Sequence, residues 1–442
     1  MQYFKILRLC CFAAFLGAIP ATGAVTLDEC ILATLKNNTD IQAATERVQA
    51  AEAAIRAAKS AYYPMLGGAV SYARTDNPPQ AFMMMLNQRS VSMQADFNNP
   101  PETENLALSL GIKYRLYDFG RSGLDVEMAR GGAEVSRLLM RGLQNEMIHQ
   151  VARGYFSVLQ ADAFVAVQEE AASALEEGLR VAYERLKAGG SIGTDVLNLE
   201  VQVAQARDDL IRARHGVKLA IAALNAGIGT NMVDASHMPL AMTPPDSPPR
   251  TTEDMGAAGN RPELKAARKV AEIRHAAVRK ARREYLPAIN AFGSLDWNSD
   301  VSSNFEESYM VGIVAEVELF DGFRRGATVS GSAALERAAE AEAGKALSSL
   351  QLDLTMAVLQ AVEARERLEV VRKGIENAEE ALRITQQSYQ QGAAALSELL
   401  TARTGLSGTR TRNVEALYDY LIAISNLARA RGELVNRYAG DE

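Results

Sequence analysis

Hydrophobic and polar positions alternate along two stretches of the chain, at 106–117 and at 309–319. In the first stretch, leucine, isoleucine and Tyr114 take every second position, and Lys113, Arg115 and Tyr117 fall on the opposite face. In the second, Glu316 and Glu318 fall between apolar residues in the same way. Alternation with a period of two is the pattern of a β-strand. A weaker run precedes each stretch, so the sequence predicts four strands, at 62–76, 104–119, 285–298 and 307–321.

In most of the remaining chain, the apolar positions recur with the period of a helix. Between 165 and 186, and again between 368 and 389, the apolar positions alternate steps of three and four residues, which is typical of helices that wind around one another. A helix from 122 to 188 would be roughly 100 Å long, a length that indicates a coiled coil or a helical array. The patterns predict single helices and helical hairpins, in chain order at 26–61, 122–228, 261–284 and 324–437.

The second half of the chain repeats the first. The run Leu116–Gly120 has a counterpart 203 residues later, and so does the helix break at Gly189. Self-similarity at a constant offset indicates a repeated structural unit. We therefore predict one repeat over 25–230 and another over 261–442, joined by a proline-rich linker at 231–260.

Residues 1–24 have the features of a secretory signal peptide: Lys5 and Arg8, an apolar run at 9–19, and small residues that suit cleavage. No other segment has the roughly 20 consecutive apolar residues of a transmembrane helix. A membrane-spanning part of this chain would therefore consist of strands, which need about 9–11 residues each. A soluble four-stranded sheet is the alternative on periodicity alone.

Composition excludes several classes of protein. The 442 residues are 48% hydrophobic and 23% charged, unlike a disordered chain. The formal net charge of −7 leaves no basic surface that would indicate nucleic acid as a partner. Two of the three cysteines lie in the predicted signal peptide, so the mature chain cannot form an internal disulfide.

Local motifs give no catalytic, cofactor or metal site. Residues 189–193 match the nucleophile elbow GxSxG, but they lie between two helices, and Ala394 replaces Ser191 in the second copy. The four histidines have no metal-ligand spacing. The triplet at 83–85 offers methionine thioethers without histidine or cysteine, which favours an apolar loop over a copper site. We expect a protein that is not an enzyme.

The doubled order of strands and helical hairpins resembles the TolC-like outer-membrane efflux proteins. The resemblance covers nearly the whole mature chain and rests on the duplication, the run Leu116–Gly120 that closes a strand, and the hairpin turns at Gly189 and Gly392. The second copy reads Asp321-Gly322-Phe323 where the first has an Asp-Phe-Gly order, so the bend from strand to helix is expected to differ there.

The resemblance implies a mostly α protein with a transmembrane β part. A long antiparallel coiled-coil helical barrel would join a trimeric 12-stranded β-barrel, to which each chain gives four strands. The homotrimer would lie in the lipid of the cell outer membrane, with a periplasmic extension. It would passively conduct cargo from an inner-membrane pump and a periplasmic adaptor to the exterior, in a tripartite efflux or type I secretion system.

If the four strands span the membrane, oligomerisation is required, because four strands leave open edges that lipid does not tolerate. A different class is left open by the residues alone. The chain could be a periplasmic coiled-coil adaptor or structural protein that does not enter the outer membrane.

Candidate site residues follow from the hairpins and the strands. The glycines permit the positive φ of a tight reversal, and the hydroxyls of Thr194 and Ser397 are expected to cap the returning helices. The resemblance implies that the turns contact the adaptor, through Gly189, Gly190, Gly193, Gly392, Leu396 and Ser397. It also implies an acidic constriction at the periplasmic mouth, with Asp195, Glu398, Thr194 and Thr401. The alternative for both acids is a charge that complements the helix N-terminus.

The four charges on the alternating strands form a further candidate site. If the apolar faces meet lipid, the opposite faces meet the barrel lumen. We therefore expect Lys113, Arg115, Glu316 and Glu318 to face the lumen, where cross-strand or nearby pairing could offset their repulsion. Simple solvation in a water-filled lumen is the alternative.

Overall fold

The computed structural model of the chain describes residues 24–438, apart from 93, 95, 97, 190–191, 235–236, 238, 240–258 and 301–303. Residues 1–23 of the predicted signal peptide, most of the proline-rich linker and Gly190 of the first turn therefore lie outside the described residues. The chain divides into two compact units. The hairpin unit contains residues up to 43, 141–261 and from 348 onwards, and the strand unit contains 44–140 and 262–347.

The helix predicted at 26–61 is two helices, α1 (Leu27–Asn37) and α2 (Thr39–Lys59), followed by a 3-10 turn at Ser60–Tyr62. Asn38 separates them, because its side-chain oxygen accepts hydrogen bonds from the backbone of the next helical turn instead of continuing α1. Its amide also donates to the carbonyl oxygen of Gly227 at 2.9 Å. At the start of α1, Thr26 and Glu29 form a reciprocal capping box.

Four antiparallel strands form one sheet in the order β1-β2-β3-β4. The strands are β1 (Met65–Thr75), β2 (Thr103–Tyr117), β3 (Ala288–Ser299) and β4 (Glu306–Glu316). The last strand ends five residues before the predicted position 321, so Glu318 lies beyond it. Helix α3 (Pro78–Asn87) occupies part of the first hairpin loop, where the sequence analysis placed no element.

The register gives the sheet one apolar and one polar face. Leu110 pairs with Leu295, which in turn pairs with Tyr309, and directly opposed residues share a face. The same reasoning places Ser109, Asp296 and Ser308 together on the other face. An apolar face continuous across all four strands is therefore opposed by a polar one.

A β-bulge changes the face of Tyr117. The register shifts between Arg115 and Tyr117, so Tyr117 pairs with Ile289 although Arg115 pairs with Asn290. Strict alternation put Tyr117 on the polar face with Arg115, and this prediction was wrong. The extra residue of a bulge re-aims the side chains that follow it, and here Tyr117 joins the apolar face at the end of β2.

Both strand-to-helix junctions have two consecutive residues with positive φ. In the first copy these are Phe119 at 58° and Gly120 at 77°, and in the second Gly322 at 66° and Phe323 at 67°. The exchanged order of phenylalanine and glycine thus leaves both residues in the left-handed region, although the segment between strand and helix is longer in the second copy, at 317–323 against 118–120. In each copy a phenylalanine occupies a conformation that glycine takes at little cost.

The remaining helices are α4 (Arg121–Lys187), α5 (Gly193–Ile228), α6 (Pro262–Arg283), α7 (Arg324–Gln390), α8 (Leu396–Arg431) and α9 (Leu434–Tyr438). Within the described ranges, no helix is long and apolar enough to cross a lipid bilayer. In the hairpin unit, α7 and α8 pack along a seam of alanines that are almost fully buried, among them Ala357, Ala361, Ala416 and Ala430. Small side chains let the two backbones approach closely.

The short helices of the first repeat meet end to end. Gly229 follows α5 with φ of 83°, and a Cβ atom built on it would lie 2.8 Å from the carbonyl oxygen of Asn37 at the end of α1. Around this junction a core cluster includes Tyr155, whose hydroxyl donates to the carbonyl oxygen of Val25 at 3.1 Å.

Candidate functional sites at the hairpin turns and on the sheet

Two glycines reverse the chain at the ends of the long helices. Gly189 has φ of 75° and Gly392 has φ of 76°, the positive values that the sequence predicts. After α7, Gly392 N donates to the Tyr389 carbonyl and Ala393 N donates to the Ser388 carbonyl, at 3.1 and 2.9 Å. This pair of bonds is a Schellman motif, which satisfies carbonyls that a helix end would leave without a partner.

The returning helices begin without side-chain caps. The N-cap residues are Ile192 for α5 and Ala395 for α8, and neither helix has a side-chain capping bond. The predicted caps from Thr194 and Ser397 are therefore wrong, because each helix begins early enough to place its hydroxyl residue at the second helical position.

Asp195 and Glu398 lie at the third helical position of their helices. Carboxylates in a first turn complement the partial positive charge of the helix N-terminus. Glu398 is exposed. Thr401, one turn later, donates its hydroxyl to the Ser397 carbonyl at 2.8 Å, so that bond stays within its own helix.

The ends of the two hairpins pack against each other in the hairpin unit. Val196 and Leu199 of α5, Leu400 of α8 and Ala182 of α4 form a buried cluster, against which Leu396 packs. Leu396 and the turn glycines thus lie at one end of a shared core.

Cationic contacts add to this packing. The Arg185 guanidinium lies 4.5 Å from the ring centroid of Tyr389 on the other hairpin, a cation–π arrangement. Arg403 donates to the carbonyl oxygen of Ala174. Burial lowers the pKa of Arg403, and interaction with Tyr389 opposes that shift.

Arg410 bridges three helices farther along the hairpins. Its guanidinium lies 2.5 Å from Glu170 on α4 and 3.0 Å from Glu379 on α7. Hydrogen bonds that Arg410 donates to both glutamates raise the pKa of Arg410. These contacts hold the first and second hairpins together by charge as well as by apolar packing.

The charged strand residues share a face but do not pair with each other. Lys113 and Arg115 pair in the register with Phe292 and Asn290, and Glu316 pairs with Ala288 on the same polar face. Arg115 instead lies 3.6 Å from Asp118, beyond the end of its own strand.

Glu318, outside β4, lies 2.8 Å from Arg324. Arg115 and Glu318 thus each have a nearby partner of opposite charge, while β3 separates β2 from the acidic residues of the second copy. That the four charges face the lumen stays a prediction.

Helix α3 packs near one end of the polar face, a feature that strand periodicity does not predict. Gln88, which follows α3, donates to the side-chain oxygen of Asn105 at 3.0 Å, and Asn105 donates to Asn298 at 2.9 Å. The signal for the helix was Pro78 directly after Asn77, since proline is favoured in the first helical turn.

Comparison with known proteins gives the chain its family. The model of the outer membrane efflux protein family matches residues 31–230 and 256–433. The chain belongs to this family. Among curated proteins, it is similar to the outer membrane efflux protein BepC of Brucella suis, with 22% identity over 96% of this chain and 89% of that one.

Solved structures show the fold of this outer membrane efflux protein. The Campylobacter jejuni outer membrane channel CmeC has a TM-score of 0.81 at 16% identity and covers 92% of this chain and 85% of its own. The Vibrio cholerae outer membrane protein VceC has a TM-score of 0.76 at 19% identity, with coverages of 92% and 96%. The predicted fold class of long helical hairpins with a β part is confirmed.

Membership also decides between the two functional classes left open by the residues. The chain is an outer membrane efflux protein. The alternative of a periplasmic protein that stays out of the outer membrane is therefore set aside. The family is one of transport ducts and not of enzymes. Among the described residues, no group of three or more metal-ligating side chains could hold a metal ion.

Proposed function

We propose that three copies of this chain form one duct, in which each copy contributes its four strands to a 12-stranded barrel. The observation that carries the proposal is the open sheet. Strands β1 and β4 each pair on one side only, while the apolar face runs across all four strands. Unpaired strand edges are not tolerated in lipid, so an outer-membrane protein with this sheet needs further copies to close it.

The hairpin turns form the periplasmic mouth and contact a periplasmic adaptor, which couples the duct to an inner-membrane pump. In each repeat the long helix begins next to a strand and ends at a turn. The turns around Gly189 and Gly392, with Gly190, Gly193, Leu396 and Ser397, are therefore proposed as the adaptor contacts. Cargo moves passively through the duct.

Glu398 constricts the mouth electrostatically, with Asp195 at the equivalent position of the first repeat and with Thr194 and Thr401 as further polar residues of the mouth. Three copies of Glu398 around one axis would concentrate negative potential on the route that ions take through the duct. This holds where each carboxylate lies within about a Debye length, 8 Å, of that route. Rings of acidic side chains favour cations in channels. The mouth of this duct is therefore cation-selective.

Two measurements test the duct and its mouth separately. Light scattering of the detergent-purified particle should give the mass of three chains, and a monodisperse monomer would refute the duct.

In planar bilayers under a salt gradient, Glu398→Ala should move the reversal potential towards zero. Glu342→Ala, an exposed glutamate on α7, is the matched control and should leave the reversal potential unchanged. If Glu398→Ala behaves like the control, Glu398 is only a helix-end charge.

A further inference from the structure

Helix α3 and the residues after it cover the polar face of the sheet at the end far from the long helices. Asn105 on β2 and Asn298 on β3 both belong to the polar face, and both are buried. Lys113, on the same face of β2 but nearer to α4, is exposed. Burial of the polar face therefore rises along β2 towards the loop that contains α3.

Two side chains at the end of α3 fasten it to both hairpins of the sheet. Gln88 donates to the side-chain oxygen of Asn105 on β2 at 3.0 Å. The guanidinium of Arg89 lies 3.2 Å from the carboxylate of Glu306, which pairs with Asn298 at the edge strand β4. Arg89 has φ of 52°, a left-handed conformation that is costly for a residue with a Cβ atom. Backbone strain at a contact that crosses the sheet indicates that the position of α3 has a function.

The exposed side of α3 is apolar. The helix packs against β2, and its Ala81 is fully buried. Pro79, Met83 and Leu86 follow one another at steps of four and three residues on the opposite side, and all three are exposed. Met83 is 54% exposed. Because surface helices ordinarily present polar residues to water, an apolar stripe above the polar face of the sheet indicates a partner.

The dimensions of the proposed barrel place that partner at the centre of the duct. Twelve strands about 4.8 Å apart and tilted by about 40° close into a barrel with a backbone radius of roughly 12 Å. A helix with its side chains is about 10–12 Å across. A helix that lies on the inner wall of such a barrel therefore reaches the axis, where it meets the same helix of the two other copies.

Given the proposed barrel of three copies, we propose that the three α3 helices form an apolar constriction at the exit of the duct, the end away from the long helices. Met83 and Leu86 line its narrowest part. Apolar constrictions stop ions because water leaves the narrow part. The exit therefore holds back ions and small polar solutes, and it passes cargo whose own apolar surface takes the place of the water.

Cysteine cross-linking tests whether the three helices meet. In the reconstituted protein, a short bis-maleimide should join Leu86→Cys chains into covalent dimers and trimers. The matched control is Met310→Cys, because Met310 is also exposed on the polar face but belongs to strand β4 in the barrel wall. Its three copies should stay unlinked. Native Cys30 is fully buried and should not react.

The particle mass, measured by light scattering on the same samples, separates the possible failures. Unlinked Leu86→Cys chains in a particle of three chains would overturn the constriction and leave the duct intact. A particle of one chain would refute the duct itself. Equal linking of Leu86→Cys and Met310→Cys would also overturn the constriction, because the control side chains lie on the wall.

Ion conductance tests what the constriction does. Met83→Gln combined with Leu86→Gln should let water into the narrow part and raise the single-channel conductance in planar bilayers several-fold. Both side chains are exposed, so the melting temperature in detergent should stay unchanged. Met310→Gln is the control and should leave the conductance as it is in the wild type. A double variant that conducts no better than this control would overturn α3 as the barrier to ions.

Discussion

His149 on α4 is a buried titratable group in the hairpin unit. Its Nδ1 atom lies 3.0 Å from the Ser425 hydroxyl, and the side chain is only 6% exposed. Burial, and after it the positive charge of Arg429, lowers the pKa of His149 to about 4. The carboxylates of Glu146 and Asp353 oppose this shift. The native state therefore keeps this histidine neutral well below its ordinary pKa.

The free energy of unfolding should fall as the pH falls from about 6.5 to about 4. In this window the unfolded chain binds a proton at His149 that the native state does not bind. At about 1.4 kcal/mol per pKa unit, the loss is at most about 3 kcal/mol. His149→Gln removes the titration, so the wild type should lose more stability than this variant between pH 7 and pH 4.5 in denaturant unfolding. Equal losses would mean that His149 is not held neutral.

The junction of α1 and α5 depends on a glycine. Gly229→Ala introduces a Cβ atom 2.8 Å from the Asn37 carbonyl oxygen, at a residue with φ of 83°. We expect a loss of about 2 kcal/mol or more in the free energy of unfolding. Gly227→Ala is the control, because it lies within α5 with open space around its Cβ position, and it should be neutral or slightly stabilising. Equal effects of the two substitutions in thermal unfolding would contradict the end-to-end contact.

The elements were predictable where one periodicity persists over many residues. The two helices of 67 residues and the strands β2 and β4 follow directly from periods of 3.5 and 2. Interruptions by single residues were not predictable in the same way. The break at Asn38 combines a local cap of the next helical turn with a hydrogen bond to Gly227, 189 positions away. The face of Tyr117 depends on a bulge in the pairing with β3. The bond to Gly227 and the bulge are tertiary effects that a pattern along the chain does not contain.

At the hairpin turns, the sequence predicted the glycine conformations but not the contacts between the hairpins. Positive φ at Gly189 and Gly392 is a local property of a tight turn. The cation–π contact of Arg185 with Tyr389 joins residues about 200 positions apart, and no local motif signals it. The positions of the helix starts were also missed, because Ile192 and Ala395 begin their helices without a side-chain signal.

For the whole molecule, the two faces of the sheet have to meet two different environments. Lys113 and Ile112 are neighbours on β2 that lie on opposite faces. A basic side chain on the lipid face at the bilayer midplane costs about 2–4 kcal/mol, so the polar face should line the water-filled interior of the duct. In the proposed duct, Lys113 would therefore face the lumen, and Ile112, one residue earlier, would face the lipid.

Cysteine labelling at these two positions tests the arrangement of the whole duct. In the reconstituted protein, Lys113→Cys should react with a charged, membrane-impermeant thiol reagent, and Ile112→Cys should react with a lipid-soluble one. Native Cys30 should interfere little, because it is fully buried and burial raises the pKa of its thiol to about 12. A bulky reagent at Lys113→Cys should also lower the single-channel conductance, since three labels would enter one lumen, whereas the same reagent on Ile112→Cys should not. Exclusive reaction of Lys113→Cys with the lipid-soluble reagent would place the polar face outside and contradict the duct.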